Sequence, residues 1–280
     1  MSREREGPLI RRILVALDTS SHSQAALEAA VELAARFQAE LSGLYVKDVN
    51  ILRLGELSFV QEVGHFTATR RRLGKREVQR QIRAQMIRAQ RIFEGTSRRV
   101  QVRGTFQVTQ GFVPAQVLDA ASTADMIVLG RSGWSLLRPG SLGSTARAIL
   151  SGAPGLALIL EKGERLCPPV VVFYDGSPQS HKALAAAAAL AEDDPLIVIL
   201  RADSREQAAS LRAGIQDWLA QRALDVSYET LSETTVPRLV RILQARDCGT
   251  LVLPAQGPML QDEFIQALID QVHAPLLLAR

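Results

Sequence analysis

The sequence predicts an α/β protein built from two tandem doubly wound domains, each with a five-stranded parallel sheet. Short continuous apolar runs alternate with longer segments of helical spacing, and this alternation occurs twice along the 280 residues. Apolar residues make up 47% of the chain, enough for a substantial core in each half. Strands that are apolar on both faces are typical of parallel sheets covered by helices on both sides.

An internal repeat sets the predicted domain limits. The segment 170–177 copies the segment 13–20, and each leads into an alanine-rich helical stretch. Ser151-Gly152-Ala153-Pro154 precedes the last apolar run of the first half, as Val272-His273-Ala274-Pro275 precedes that of the second. Two copies of one unit explain both matches. We therefore predict one domain over residues 1–163 and a second over residues 164–280.

The elements of the first half follow from the period of its apolar residues. Apolar runs predict strands near 12–17, 40–46, 101–108, 126–130 and 156–160. Helical spacing predicts helices near 20–38, 75–97, 114–122 and 142–150. The stretch 51–69 has no clear period and is predicted to be a loop over the mouth of a binding pocket.

The second half repeats this order with fewer residues. Its predicted strands lie near 169–174, 195–200, 225–230, 249–253 and 275–279, and its helices near 178–191, 204–222, 235–246 and 260–272. The interval from Asp18 to Gly130 is 112 residues, whereas the equivalent interval from Asp175 to Pro254 is 79. The first half therefore carries an insertion after its second strand.

The most informative motif follows the fourth predicted strand. Gly130-Arg131-Ser132-Gly133 is followed after nine residues by Gly143-Ser144, at the start of a predicted helix. Backbone N–H groups at a helix start lack intrahelical partners and favour an anion, and glycine lets a ligand approach the backbone. The pattern predicts a phosphate site, and an ordinary glycine-rich loop is the alternative.

The strand followed by this glycine pattern, in a domain whose first strand ends at Asp18, resembles the ATP-binding pattern of the universal stress protein family. That resemblance implies a Rossmann-like fold and a nucleotide at the carboxyl ends of the strands, with the base against the ends of the first two strands. It implies the following site residues: Ala16, Leu17, Asp18, Val46, Leu129, Gly130, Arg131, Gly133, Gly143, Ser144 and Thr145.

The candidate side chains have different expected roles. Asp18 would accept from a ribose hydroxyl or hold a metal-bound water, unless it serves only to cap a helix. Arg131 would pair with a phosphate, or else be an exposed loop arginine. Ser132 would add a hydroxyl, and Trp134 with Leu136-Leu137 would give the loop an apolar patch. His22 lies near the expected pocket without a partner to orient it, so we assign no catalytic residue.

The second half has lost the motif. Pro254 replaces the first glycine, Pro258 removes a backbone donor, and Phe264-Ile265 occupies the place of Gly143-Ser144. We expect no nucleotide there. Asp175-Gly176-Ser177 keeps the front of the pattern, which by itself predicts a turn or a helix cap.

The predicted function is binding of ATP, with or without Mg²⁺, in the first domain. By family resemblance, nucleotide occupancy would order the loop 131–142 and change a surface seen by an unknown protein partner in a stress response. A nucleotide-free interaction scaffold and a slow ATPase are the alternatives. The chain has no Gly-x4-Gly-Lys-Ser/Thr loop, which excludes a P-loop ATPase.

The net charge of +4 conceals a local excess of basic residues. The segment from Arg70 to Arg103 holds 12 Lys/Arg and only Glu77 and Glu94, on a predicted amphipathic helix. The excess indicates either contact with nucleic acid or another anionic surface, or a solvated helix face. No aromatic interleaving or base-reading motif accompanies the charges, so we favour the solvated face.

The remaining expectations concern location and assembly. No secretory signal and no membrane-spanning run is evident, and Cys167 and Cys248 are expected to be reduced thiols, so we expect a cytoplasmic protein. The second half is expected to be a degenerate copy kept for packing, which makes one chain a pseudo-dimer. Further pairing of whole chains into a homodimer is left open by the sequence, and the family resemblance implies that it would use the last strands.

Overall fold

In a computed structural model, residues 10–54, 61–63, 70–72, 74–132, 142–220, 222, 224–255 and 261–280 are described. The first half contains β1 (Arg12–Ala16), α1 (Ser21–Phe37), β2 (Glu40–Asp48), α2 (Val49–Leu54), β3 (Gln61–Val63), β4 (Arg70–Arg72), α3 (Lys75–Arg99), β5 (Gly104–Gly111), α4 (Val113–Ala121), β6 (Met126–Gly130), α5 (Ser144–Gly152) and β7 (Leu156–Leu160). The second half contains β8 (Val170–Tyr174), α6 (Pro178–Ala191), β9 (Leu196–Arg201), α7 (Arg205–Leu219), β10 (Val226–Leu231), α8 (Val236–Ala245), β11 (Thr250–Pro254), α9 (Asp262–Gln271) and β12 (Leu276–Ala279).

Ten of the described strands form one sheet in the order β10-β9-β8-β11-β12-β7-β6-β1-β2-β5. All neighbours are parallel except β12 and β7, which pair antiparallel with Leu277 opposite Leu158. Each half therefore has the same internal strand order, and the two halves are related by the antiparallel junction. The predicted α/β fold with parallel sheets and helices is confirmed. The limit predicted at 163 and 164 falls between β7 and β8 and stays a prediction.

The antiparallel junction corrects the expected mode of dimerisation. Strand β7 pairs with β6 and β12, and β12 pairs with β11 and β7, so both edges of both last strands are occupied. A second chain therefore has no free edge there to pair with. Within the described part of the chain, the outer edges of this sheet belong to β5 and β10.

The apolar core lies in two layers, one on each face of the sheet. Helices α1, α3, α6 and α7 contribute to one layer, where Leu27 and Phe93 are buried. Helices α4, α5, α8 and α9 contribute to the other, where Ile149 and Ile265 are buried. The strands supply both layers because successive side chains of a strand point to opposite faces. None of the helices in the described residues has the length and apolar character required to cross a membrane.

The insertion in the first half begins directly after β2. Strand β2 is separated from α3 by α2, β3 and β4, whereas β9 leads to α7 through three residues. The sequence predicted only a loop over 51–69, because these elements are short and have no apolar period. Residues 55–60 and 64–69 lie outside the described part of the chain.

The chain topology creates a crevice between β1 and β6. From β1 the strands proceed to β2 and β5 on one side, and the chain then returns to β6 and β7 on the other. Such a reversal of strand order leaves space beyond the carboxyl ends of the strands, where α/β proteins bind ligands. Asp18 follows β1 and Gly130 ends β6, so both residues lie at this crevice.

Candidate functional site

A cavity of about 440 Å³ occupies the crevice between β1 and β6. Its volume lies within the range of about 300–1,000 Å³ that is typical of small-molecule sites. The predicted site residues that line it are Ala16, Leu17, Asp18, Val46, Leu129, Gly130, Arg131, Gly143, Ser144 and Thr145, together with Ser132. Gly133, Trp134, Leu136 and Leu137 lie outside the described residues. Residues separated by more than a hundred positions in sequence are thus brought to one cavity.

The start of α5 forms one wall of this cavity. Gly143 is the N-cap residue, with φ −65° and ψ 157°, and it has no side chain with which to cap the helix. Its N–H donates to the carbonyl oxygen of Arg131 at 3.0 Å, which fixes the helix start against the end of β6. Ser144 and Thr145 follow in the first turn, where the helix dipole is positive. This wall therefore offers backbone and hydroxyl donors suited to an anion.

Gly130 is a glycine for a reason that sequence reasoning missed. A Cβ atom at this position would lie 2.7 Å from the carbonyl carbon of His22 in α1, closer than real Cβ contacts allow. The close approach of α1 to β6 therefore excludes any side chain. The glycine that was attributed to a ligand is required by helix packing, whether or not a ligand binds.

Asp18 forms a turn that precedes α1 rather than capping the helix itself. Its Oδ1 accepts from the N–H of Ser20 at 2.9 Å. Ser20 is the N-cap residue, and its hydroxyl accepts from the N–H of Ser23 at 3.1 Å. The carboxylate nevertheless lines the cavity, beside Tyr45. Burial and then the negative charge of Asp18 raise the pKa of the Tyr45 phenol, so this hydroxyl stays a donor at neutral pH.

Of the two roles expected for Arg131, the structure contradicts that of an exposed loop arginine. Its side chain is only 5% exposed, and Nη1 lies 3.0 Å from Oε2 of Glu161. Nη2 forms a second ion pair with Oδ1 of Asp270, in helix α9 of the second half. Because the guanidinium is buried against two carboxylates, Arg131 is not the exposed loop arginine. Arg131 also lines the cavity, so its contact with a phosphate stays a prediction.

Helix α9 also contacts the other end of the same segment. The N–H of Leu142 donates to Oε1 of Gln266 at 2.9 Å, and Nε2 of Gln266 donates to Oδ1 of Asp270 at 2.7 Å. Arg131 and Leu142 lie on opposite sides of the stretch 133–141. The second half therefore holds both flanks of the segment that carries the glycine motif.

Further lining residues were not predicted because they come from elements without a recognisable motif. They include Tyr45, Gln85 of α3, Ile51 of α2 and Phe112 before α4. Phe112 is 55% exposed at the cavity, and Ile51 is 45% exposed. An apolar residue directly after the third strand of a parallel sheet was the available signal for Phe112, since that position also lies at a carboxyl end.

The equivalent region of the second half repeats the turn and helix cap formed by Asp18 and Ser20. Oδ1 of Asp175 accepts from the N–H of Ser177 at 3.0 Å, and Ser177 caps α6, so the predicted turn and cap occur together. The phenol of Tyr174 lies 2.8 Å from Nε2 of His181. Gly257 and Pro258 lie outside the described residues, and Ile265 is fully buried in α9. The loss of a nucleotide site in this half stays a prediction.

His22 does not line the cavity. Its Nδ1 accepts from the N–H of Lys162 at 3.2 Å, so the ring connects α1 to the segment that follows β7. Cys167 and Cys248 are both free thiols.

The first half of the chain matches a known protein family. Residues 9–159 match the model of the universal stress protein family. No curated protein sequence shows significant similarity to the chain.

Two solved structures share the fold over almost the whole chain. A universal stress protein from Archaeoglobus fulgidus is 15% identical, with a TM-score of 0.74, and the match covers 96% of this chain and 98% of that one. A putative universal stress protein from Pseudomonas aeruginosa is 16% identical, with a TM-score of 0.58 and coverage of 96% and 93%. At these identities the likeness concerns the fold alone. Because the family model covers more than half of the sequence, the chain belongs to the universal stress protein family.

Proposed function

We propose that the chain binds ATP, or a related adenine nucleotide, in the cavity between β1 and β6. One observation carries the proposal: residues of β1, β2, β6 and α5 that match the family's nucleotide pattern line a single cavity of about 440 Å³. The donors of α5 stand on one side, and apolar residues of β1 and β2 stand on the other. This arrangement suits a ligand with an anionic end and a flat apolar end.

Each group has a role in this proposal. Ser144, Thr145 and the first N–H groups of α5 hold the phosphates. The carboxylate of Asp18 accepts from a ribose hydroxyl, or orients water around Mg²⁺ if the metal accompanies the nucleotide. Leu17 and Val46 contact the base. Arg131 keeps the cavity wall in place through its ion pairs and lies where it can also contact a phosphate.

Binding rather than turnover is the proposed activity. Nucleotide occupancy fixes the segment between Arg131 and Leu142, and that segment presents a surface to a protein partner in a stress response. The two residues are anchored to α9, so occupancy is communicated to the second half as well.

Calorimetric titration with ATP, with and without Mg²⁺, tests the proposal. Ser144→Ala removes one hydroxyl donor and is expected to weaken binding about tenfold, because a hydrogen bond to a charged group contributes roughly 1.5 kcal/mol. Gly143→Val, which places a side chain at the helix start, is expected to weaken binding further. Ser151→Ala is the matched control, since Ser151 is exposed on the same helix and does not line the cavity.

Two results would refute the proposal. One is the absence of heat at millimolar nucleotide; the other is unchanged affinity in both Gly143→Val and Ser144→Ala. The first result would favour the nucleotide-free scaffold. A phosphate-release assay under the same conditions examines slow ATP hydrolysis, which is rejected if product does not exceed the buffer control.

A further inference from the structure

A second cavity of about 800 Å³ lies beside the proposed nucleotide cavity, and among its described lining residues every charged one is basic. Lys47 comes from the end of β2, Arg53 from α2, and Lys75 and Arg83 from α3. The other described lining residues are apolar or carry amides, and none is a carboxylate. Four cations from three elements therefore converge on one concave surface.

Several other arginines in the described part of the chain are paired with acids. Arg36, Arg131, Arg201 and Arg246 each form an ion pair with a carboxylate. On α3 itself, Arg80 pairs with Glu77 and Arg98 pairs with Glu94, and neither arginine lines this cavity. No ion pair to a described carboxylate occurs for Lys47, Arg53 or Arg83. Like charges that face one concavity repel each other, and an anion in the cavity removes that repulsion.

The position and floor of the cavity also suit a ligand. It lies beyond the carboxyl ends of β2 and β5, the edge of the sheet where this fold binds ligands. Leu52, Ile82 and Met86 form apolar parts of its wall. An apolar wall lowers the local dielectric constant, which strengthens the attraction between the cations and an anion. Ile82 lines both cavities and separates them.

We propose that this basic cavity binds a small polyphosphorylated molecule, at a site separate from the nucleotide cavity. Guanidinium groups form paired hydrogen bonds with phosphate oxygens, and ammonium groups add point charges, so two of each suit a ligand with several phosphates. A nucleic acid fits less well. The described lining contains no aromatic side chain on which a base could stack, and the cations converge instead of forming a stripe.

Inorganic tripolyphosphate is the probe, titrated calorimetrically into the full chain at 150 mM NaCl. The test variant carries Lys47→Gln, Arg53→Gln and Arg83→Gln. The control variant carries Arg76→Gln, Arg88→Gln and Arg91→Gln, which removes the same charge from exposed positions of α3 that do not line the cavity. We expect the test variant to lose at least tenfold in affinity and the control to stay within threefold of the unmodified chain.

Three outcomes would overturn the proposal. The first is no binding of tripolyphosphate at millimolar concentration, and the second is equal weakening in the test and control variants, which would indicate diffuse attraction. The third is loss of tripolyphosphate binding in Ser144→Ala, which would place the anion at α5. Because the proposal does not depend on ATP binding, the proposed function can fail while tripolyphosphate still binds. An oligonucleotide that binds more tightly than tripolyphosphate and is weakened by the control variant would assign the charge to nucleic acid instead.

Discussion

Asp270→Asn tests whether helix α9 holds the segment beside the cavity between β1 and β6. The carboxylate of Asp270 pairs with the buried guanidinium of Arg131 and accepts from Gln266, whose own oxygen holds the N–H of Leu142. The substitution keeps the shape of the side chain and removes its charge. Arg131 retains Glu161, so the guanidinium is not left without a counter-ion.

The expected magnitude follows from the exposure of the two partners. A hydrogen bond to a charged group contributes about 1.5–3 kcal/mol and a neutral one about 0.5–1.5, so neutralising the acceptor costs about 1 kcal/mol. Asp270 is 51% exposed, which keeps the effect near the lower end. For a chain of this size, about 1 kcal/mol lowers the thermal midpoint by about 2–4 °C.

The sharper readout is amide hydrogen exchange followed by mass spectrometry. If Asp270 positions Gln266, the amides of Leu142 and Gly143 exchange about fivefold faster in Asp270→Asn, equivalent to about 1 kcal/mol of local opening. Asp217→Asn is the control, because Asp217 is an exposed aspartate near the end of another helix of the second half. Unchanged exchange at Leu142, or the same change in both variants, would show that α9 does not hold this segment.

Three further predictions concern packing, thiol chemistry and pH. Gly130→Ala should lower the free energy of unfolding by about 1–3 kcal/mol in chemical denaturation, because the added Cβ would overlap the backbone of α1. Gly214 has open space around it in the middle of α7, so Gly214→Ala should raise the free energy of unfolding instead. Equal effects of the two substitutions would contradict the packing argument. Burial, and then the charge of Cys167, raise the pKa of the Cys248 thiol to about 12. A thiol reagent at pH 8 should therefore label exposed Cys167 quickly and Cys248 only on unfolding, and fast labelling of both would contradict this prediction. Burial tends to raise the pKa of Asp175, but hydrogen bonds from the start of α6 outweigh burial and lower the pKa. The ionised carboxylate therefore stabilises the folded state above the unfolded pKa, and this stabilisation is lost as pH falls below about 4. In Asp175→Asn the free energy of unfolding should change less with pH on the acid side, and an unchanged dependence on pH would count against these hydrogen bonds.

The fold was largely predictable because the strands of this chain are apolar on both faces. The predicted bounds of strand β6 (Met126–Gly130) and of helix α6 (Pro178–Ala191) agree with the structure at both ends. Continuous apolar runs bounded by charged or glycine residues leave little freedom in placing a strand. Helix α2 was missed because six residues after a strand show no period, and its side chains are not buried.

The site was predictable in position but only partly in the role of each residue. Asp18 and Gly143 line one cavity as expected from the ends of β1 and β6, because strand topology alone brings them together. The ion pair of Arg131 with Asp270 could not be predicted from the sequence, since Asp270 lies 139 residues away in the other half. No local pattern in the sequence records a pair that forms only after the two halves dock through β7 and β12.

The docking of the halves also explains what the second half, which has no glycine motif, contributes to the cavity of the first. Helices α5 and α9 follow equivalent strands and lie on the same face of the sheet, on either side of the antiparallel junction. In the first half the start of the helix faces the cavity, whereas in the second half Ile265 packs α9 into the core. Side chains further along α9, at Gln266 and Asp270, then reach the segment that flanks the first cavity. The second half thus supports the cavity of the first half, so damage to α9 should impair the proposed nucleotide binding there.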